Sequence, residues 1–294
     1  MISILIPTYN FNITQLVTDL HQQALNSYTD FEIIVMEDGS EKEVESNRLI
    51  NELVNCKHIV LKENVGRSAI RNKLAEEAKY DHLLFIDCDA QVDSEHFVER
   101  YLSFCKEECV VIGGTAYDPN ETNPDYSLRL TYGRKREARI ASERGRNNFA
   151  TFNFLISKSI FSRIRFDESI RGYGHEDMLF GHQLRKFGYK FIQIENPLIH
   201  KGLDSNSTFI CKTEESTRNL FLLHQTGRYP YLSEESKLLN VFLFLKRIKL
   251  IRLAAFKFDI TKRLLRWELC SKSPSLLLYD VYKLLFICKT SLLK

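Results

Sequence analysis

The chain has 294 residues, enough for one large α/β domain or for one domain with an appended segment. Its hydrophobic fraction of 44% and charged fraction of 27% are ordinary for a globular protein and exclude disorder over most of the length. The seven cysteines form no CxxC pair, which argues against a zinc ribbon and against a secreted disulfide framework.

The charges are unevenly distributed along the chain. Residues 236–294 carry 13 Lys/Arg and 3 Asp/Glu, a balance of +10, whereas the whole chain has a net charge of only +3. Residues 1–235 are therefore acidic overall. This asymmetry predicts two regions with different physical roles, residues 1–235 and a basic region 236–294.

Residues 1–115 alternate between short apolar runs and amphipathic stretches. This alternation predicts a mostly parallel, doubly wound sheet flanked by helices. Pro7 stops the first apolar run, which therefore resembles a first strand rather than a signal peptide. The predicted strands are 2–6, 31–36, 58–61, 82–86 and 110–113. The predicted helices are 12–26, 42–53, 67–79 and 94–105.

The second half of the domain, residues 116–235, begins with a polar and basic stretch from 118 to 148. Regular structure is predicted to return with a strand at 152–156 and a helix at 158–163. A helix over 176–187 and a strand over 190–194 follow. Residues 202–208 are polar and are predicted to form a flexible lid.

Polar residues follow three of the predicted strands, at the end where doubly wound sheets bind ligands. Asp87 and Asp89 leave a buried strand and could hold a hard divalent cation, although such a pair also occurs as a helix-capping turn. Asp38 could accept a hydrogen bond from a base or ribose, or simply belong to an Asp-Gly turn. Tyr9 could stack on a nucleobase, although packing is the commoner role for such a tyrosine.

Two further segments carry candidate chemistry. Gly66 precedes a helix that bears Arg71, an arrangement that suits phosphate binding at a helix N-terminus but also fits a solvated basic face. In GYGHED (172–177), the helix dipole explains why Glu176 and Asp177 are acidic but not the Gly-Tyr-Gly-His lead-in. A carboxylate positioned in this way can act as a general base. His200 could complete a metal site, or be a structural histidine.

In this order, the segments resemble the family 2 glycosyltransferases of GT-A fold. The resemblance spans about two-thirds of the chain and rests on PTYN (7–10), EDGS (37–40), NVGRSAIRN (64–72), DCD (87–89), GYGHED (172–177) and IH (199–200). It implies a GT-A, Rossmann-like sheet, with a nucleotide-binding half over about 1–115 and an acceptor half over about 116–235. It also implies transfer of a sugar from a nucleotide diphosphate to a hydroxyl, with inversion at the anomeric carbon.

The resemblance also implies roles for individual residues. The expected donor site comprises Pro7, Tyr9, Asp38, Asn64, Gly66, Arg71, Asp87 and Cys88. The expected ligands of Mn²⁺ or Mg²⁺ are Asp89, His200 and Asp87. Asp177 is the expected base, and Glu176 is expected to orient the acceptor. Because the family's usual aspartate pair is here Glu37-Asp38, Asp38 is expected to contact the base, and its carboxylate would suit a uracil imide, which favours UDP.

The basic region 236–294 lies outside this resemblance. It mixes Leu, Phe and Ile with regularly placed Lys and Arg, and none of its apolar runs reaches the length that spans a bilayer. Such amphipathic helices lie on anionic membrane surfaces, although a subdomain packed on the core or a partner would look similar. We therefore expect a cytoplasmic enzyme, peripheral at the inner face of the membrane, acting on a glycan or lipid-linked saccharide.

Two other functions fit parts of the sequence. A sugar nucleotidyltransferase also uses a doubly wound sheet and a metal, but it would normally show a glycine-rich phosphate loop near the first strand. A non-catalytic module that binds membranes or anions through its basic tail would leave the GYGHED segment unexplained. Nothing in the sequence resembles an aromatic stacking sheet or a recognition helix, so nucleic acid is not expected as a partner.

Overall fold

A computed structural model describes residues 1–105, 108–145, 148–170 and 172–293. The chain divides into two compact units. The first comprises Met1–Asp118, Glu137–Arg171 and Glu176–Gly202, and the second comprises Pro119–Arg136, Gly172–His175 and Leu203–Lys294. The second unit thus begins well before residue 236. The functional division into 1–235 and 236–294 stays a prediction.

The first unit is built on a seven-stranded, mostly parallel sheet, as predicted. Its strands are β1 (Ile2–Thr8), β2 (Phe31–Glu37), β3 (Cys56–Val60), β4 (His82–Ile86), β6 (Val110–Ile112), β8 (Asn153–Ser157) and β9 (Phe191–Gln193), in the order β3-β2-β1-β4-β8-β6-β9. Strands β1 to β4 are mutually parallel, whereas β8 runs antiparallel to both β4 and β6. The carboxyl ends of β1, β2 and β4 therefore share one edge of the sheet.

Helices cover both faces of this sheet because successive strand residues point to opposite sides. The helices of the unit are α1 (Thr14–Asn26), α2 (Val44–Asn47), α3 (Arg67–Glu77), α4 (Phe97–Leu102), α6 (Lys158–Arg163) and α7 (Glu176–Lys186). Ile4 and Ile6 belong to the apolar core that contains residues of α1 and α4. Leu5 between them belongs to the opposite core, with residues of α3, α6 and α7.

A second, three-stranded sheet was not predicted. It consists of β5 (Ala90–Gln91), β7 (Thr115–Ala116) and β10 (Leu198–His200), with β10 in the middle. In the antiparallel pairing of β10 with β5, His200 lies opposite Ala90. Residues 89 and 200, which are far apart in the sequence, are thereby brought together.

The predicted helix over 42–53 is wrong as a single element. Residues Val44–Asn47 form one α-turn, and Arg48–Glu52 continue as a 3₁₀ turn. The buried side chain of Asn47 accepts a hydrogen bond from the backbone of Ile13 and donates to Phe11 and Glu37, which ties this segment to the first strand-to-helix loop. The predicted helix over 94–105 is also shorter, as α4.

The second unit is helical. It contains α5 (Ser127–Tyr132), α8 (Asn206–Gln225), α9 (Leu232–Glu235), α10 (Lys237–Arg247), α11 (Ile251–Leu269) and α12 (Leu276–Thr290). Its core includes Phe258, Tyr282 and Phe286. Among the helices of the described ranges, none is long and apolar enough to cross a bilayer.

The predicted flexible lid over 202–208 is wrong for its last three residues. Residues 206–208 form the first turn of α8, because the Ser205 hydroxyl caps the helix by accepting a hydrogen bond from the Thr208 amide at 3.3 Å. Asn206 is buried and accepts a hydrogen bond from the backbone of Leu128. Helix α5 lies within the stretch 118–148, for which no helix was predicted.

Candidate active site

The loops after β1 and β2 are joined by hydrogen bonds. The Ser40 hydroxyl accepts from the backbone of Asn10 at 2.9 Å, and the Asn10 side chain accepts from the backbones of Glu41 and Lys42 at 2.8 and 3.0 Å. Tyr9 is 54% exposed and lies next to Cys88, whose thiol accepts a hydrogen bond from the Tyr9 backbone. The sheet edge therefore presents an exposed aromatic ring beside the loop of Asp87 and Asp89.

Asp38 holds the loop that leads into α3. Its two carboxylate oxygens accept hydrogen bonds from the backbone N–H groups of Val65 at 2.7 Å and Gly66 at 3.1 Å. Burial raises the pKa of Asp38, and these two bonds offset only part of the shift. A carboxylate has capacity for further donors, so both this positioning role and base recognition are open to Asp38. The exposed residue Asn64 lies in the same loop.

Gly39 allows this loop to pack closely against the residues that follow β2. Its φ is +67°, and a Cβ on it would lie 2.5 Å from the backbone nitrogen of Asn64. We expect Gly39→Ala to lower the free energy of unfolding by about 3 kcal/mol, from left-handed strain plus the collision. Gly227→Ala is the matched control, because Gly227 has φ +66° but nothing within 4 Å of its Cβ position. Equal losses in urea unfolding would show that the loop contact contributes nothing.

Glu37 is a structural residue. It is fully buried and accepts hydrogen bonds from Ser40, Asn47 and His58. Burial raises the pKa of Glu37, but these hydrogen bonds outweigh it, so that the net pKa lies below its ordinary value. Glu37 therefore stabilises the loop after β2 from inside the protein, while Asp38 lies at the sheet edge.

Arg71 connects two acidic segments of the site. Its side chain is 3% exposed, and Nη2 lies 2.7 Å from Asp87 Oδ1 while Nη1 lies 3.9 Å from Glu176 Oε1. The more exposed Arg67, one turn earlier, lies 3.7 Å from the same Glu176 oxygen. Burial raises the pKa of Asp87 even though Arg71 opposes the shift. Helix α3 thus links the end of β4 to the start of α7.

Asp89 and His200, two of the predicted metal ligands, are neighbours. His200 Nε2 lies 3.4 Å from Asp89 Oδ2, and the imidazole stacks with the rings of Tyr117 and Phe152, at centroid distances of 5.6 and 5.3 Å. Gly202 packs against Asp89 so closely that a Cβ there would lie 2.5 Å from the carboxylate. These contacts fix the position of both side chains.

The assignment of Asp89, His200 and Asp87 as metal ligands stays a prediction. Within the described ranges, no three His, Cys, Asp or Glu side chains are grouped so that they could hold a metal ion by themselves. Asp87 is paired with Arg71, which leaves Asp89 and His200 as the two adjacent ligand candidates. One carboxylate oxygen and one imidazole nitrogen suit Mn²⁺, which takes mixed O/N ligands, provided that further oxygens come from elsewhere.

Glu176 and Asp177 open helix α7. Glu176 is buried, with Oε1 near the two arginines and Oε2 without a hydrogen-bond partner among the described residues. Asp177 Oδ1 accepts from the backbone of Met178 at 2.7 Å. Burial and the neighbouring charge of Glu176 raise the pKa of Asp177 to about 6. A carboxylate with this pKa is ionised at neutral pH and is more basic than an ordinary aspartate.

The structure brings most of the predicted site residues to one region of the first unit, and their roles stay predictions. Sequence reasoning missed the two aromatic rings that hold His200, namely Tyr117 and Phe152, and it missed the contact of Gly202 with Asp89. Tyr117 and Phe152 gave no signal because single aromatics are common in cores. Arg67 could have been found, since it lies four residues before Arg71 on the same helix face.

A model of glycosyl transferase family 2 matches residues 3–165, more than half of the chain. The chain belongs to glycosyl transferase family 2. The matched range includes Tyr9, Asp38, Arg71 and the Asp87–Asp89 loop, whereas Glu176, Asp177 and His200 lie beyond it. The predicted family is thus confirmed.

Two bacterial proteins are similar to this chain in sequence. The chain is 24% identical over 302 residues to chondroitin synthase of Escherichia coli, covering 90% of this chain and 43% of the synthase. It is 25% identical over 244 residues to the putative glycosyltransferase EpsH of Bacillus subtilis, covering 81% of this chain and 70% of that protein. The chain therefore spans less than half the length of the first of these relatives.

Solved structures share the fold of this family 2 chain. TarS 1-349 of S. aureus in complex with UDP superposes with a TM-score of 0.51 at 19% identity, over 74% of this chain and 65% of that one. The mannosyltransferase PcManGT of Pyrobaculum calidifontis, in complex with GDP-Man and Mn²⁺, gives a TM-score of 0.53 at 13% identity, over 76% and 64%. These likenesses confirm the predicted sheet architecture.

Proposed function

We propose that the chain transfers a sugar from a nucleoside diphosphate to an acceptor hydroxyl, with inversion at the anomeric carbon. The observation that carries the proposal is the bridge through Arg71, which joins the β4 carboxylate Asp87 to Glu176 at the start of α7. It links a strand edge suited to a nucleotide with a carboxylate pair suited to acid–base chemistry. A sugar nucleotidyltransferase has no need of the second element.

The donor would lie across the ends of β1, β2 and β4. Tyr9 would stack on the base, and Asp38 would accept from it while holding the loop of Asn64 and Gly66. Asp87 would accept from a ribose hydroxyl, held for this by Arg71. An imide N–H is a donor that matches the Asp38 carboxylate, which favours uridine, and UDP is bound in the TarS complex. Pro7 and Cys88 would line this site through the backbone.

Asp89 and His200 would hold a divalent cation, Mn²⁺ or Mg²⁺, together with oxygens of the donor's diphosphate. When bound, such a cation supplies charge neutralisation for the departing nucleoside diphosphate. The two side chains are fixed in place by ring stacking and by the close contact of Gly202, so that little ordering is needed on binding. Mn²⁺ is present in the PcManGT complex.

The carboxylate pair would serve the acceptor. A sugar hydroxyl is a weak nucleophile, so Asp177 removes its proton as the oxygen attacks the anomeric carbon. The free oxygen of Glu176 accepts a hydrogen bond from the acceptor and orients it. Because the attack is direct, the nucleoside diphosphate leaves from the opposite face and the anomeric configuration inverts. We propose a glycan or lipid-linked saccharide at an anionic membrane surface as the acceptor, because the second unit is basic.

Binding of the donor tests this function without knowledge of the acceptor. We expect UDP or a UDP-sugar to raise the melting temperature only when Mn²⁺ or Mg²⁺ is present, because ligand that binds the folded state stabilises it by mass action. With Asp89→Ala, Mn²⁺ or Mg²⁺ should no longer change the effect of UDP on the melting temperature. With Glu176→Gln, the metal should still be required. Stabilisation by UDP that is equal with EDTA and with Mn²⁺ would contradict the metal assignment. Failure of every nucleotide sugar in a panel would contradict the donor site.

A further inference from the structure

A large cavity in the second unit plays no part in the catalysis proposed above. Its volume is about 910 Å³, and it is formed by the end of α8, by α10, by the start of α11 and by the end of α12. Phe221 and Phe242 are among its apolar lining residues, and Lys246, Lys249 and Arg252 provide basic groups. A cavity with both kinds of lining suits a ligand that has an anionic part and an apolar part.

The charged residues that the structure describes in the lining of this cavity are all basic. No Asp or Glu in the described part of the chain lines it. Asp259 of α11 is paired with Lys289. The concentration of positive charge therefore remains available to an anion from outside.

Helix α11 has a second apolar face that begins at the rim of the cavity. Its inner face is buried and includes Ala255, Phe258 and Leu265. With 3.6 residues per turn, a further apolar stripe lies on the opposite side of the helix. Its members are 51–73% exposed and consist of Leu253, Phe256, Ile260, Leu264 and Trp267.

The charged residues beside this outer apolar face favour one kind of binding partner over another. Arg252 and Arg263 lie along one side of the stripe and Lys257 along the other, all exposed. Two copies that met through this face would bring the same basic residues together, which is unfavourable. An anionic bilayer complements both the cations and the apolar side chains, and a tryptophan beside basic residues is typical of a helix at a membrane interface.

We propose that the outer face of α11 lies on an anionic lipid bilayer and that the adjoining cavity binds the phosphate headgroup of one of its lipids. Lys246, Lys249 and Arg252 contact the phosphate, while Phe256, Ile260, Leu264 and Trp267 enter the boundary between headgroups and acyl chains. This lipid-binding surface adds detail to the membrane association proposed above. It rests on the proposed function only for its biological purpose, because none of the catalytic residues belongs to the surface.

The single tryptophan gives a direct readout, since Trp267 lies on the proposed surface. Trp267 emission should shift to shorter wavelength with phosphatidylcholine vesicles that contain phosphatidylglycerol, and not with phosphatidylcholine alone. The variant K246Q/K249Q/R252Q should bind these vesicles about 100-fold more weakly, at about fivefold per basic residue near the surface. Soluble glycerol phosphate should not shift the emission, which separates a bilayer from a free phosphate.

A matched variant distinguishes the loss of this site from a general loss of positive charge. K73Q/K186Q/K190Q removes the same charge from exposed positions in the first unit and should bind like the original protein. Equal weakening by the two variants would overturn the cavity assignment. An emission shift that depends on protein concentration without vesicles would mean that a second copy covers the face, which also overturns the proposal.

Donor turnover separates this proposal from the proposed function. K246Q/K249Q/R252Q should retain hydrolysis of the nucleotide sugar in solution while losing vesicle binding. Vesicle binding without any nucleotide-sugar turnover would contradict the proposed function alone. Turnover without a Trp267 shift on any vesicle would contradict the bilayer surface alone.

Discussion

Asp177→Asn should lower turnover by about two to four orders of magnitude, because it preserves the shape of the side chain and removes the base. Affinity for the donor, measured by titration with UDP and Mn²⁺, should change little. In the original protein the rate should fall as the pH is lowered through about 6, the pKa of Asp177, because only the ionised carboxylate can accept the proton. Normal turnover of Asp177→Asn would exclude it as the base.

The same substitution should stabilise the protein. The raised pKa means that ionisation of Asp177 costs folding free energy above about pH 6, and that the cost disappears below about pH 4, near the pKa of an unfolded aspartate. Asp177→Asn should therefore melt at a higher temperature than the original protein at pH 8, and the two should converge at pH 4. A lower melting temperature of Asp177→Asn at pH 8 would contradict the unfavourable ionisation of Asp177.

Glu176→Gln is the control for this pair. It removes the neighbouring charge that helps to raise the pKa of Asp177, so the acidic limb of the rate profile should move to lower pH. It should also raise the KM of the acceptor, because one orienting hydrogen-bond acceptor is lost. If Glu176→Gln abolished turnover while Asp177→Asn did not, the two roles would be exchanged.

Arg71→Met should destabilise the protein by about 3–5 kcal/mol, the cost of removing one partner of a buried ion pair. Asp87 loses its 2.7 Å partner and Glu176 loses the buried one of its two arginine contacts, so activity should fall as well. Arg67→Met is the matched control, because Arg67 contacts the same Glu176 but is 54% exposed. It should have little effect on urea unfolding.

A double variant tests the reason for the loss. Asp87→Asn in the Arg71→Met background removes the carboxylate that is left unpaired, and should recover part of the unfolding free energy. Losses that simply add would show that Arg71 and Asp87 do not interact. Arg71 would then contribute through its other contacts, with Glu176 and with Phe166, whose ring centroid lies 5.6 Å from its guanidinium carbon.

The sequence by itself determined the sheet and the edge at which the candidate site lies. Runs such as Ile33–Met36 and Leu83–Ile86 are apolar without interruption, and only strands covered on both faces bury every residue of such a run. The residues that follow them must lie at the carboxyl edge, whatever the rest of the chain does. The family resemblance then pointed to Asp177 and His200, which local patterns alone could not have related to that edge.

Only the tertiary structure decided which of these residues contact one another. His200 meets Asp89 because β10 pairs with β5, and strands of two or three residues have no periodicity that a sequence could reveal. Asp87 pairs with Arg71, because the fold places this buried arginine of α3 beside the end of β4. The exposed stripe of α11 likewise became visible only when the opposite face was seen to fill the core. Local propensity acts along the chain, whereas pairing, burial and charge act between segments that the fold alone brings together.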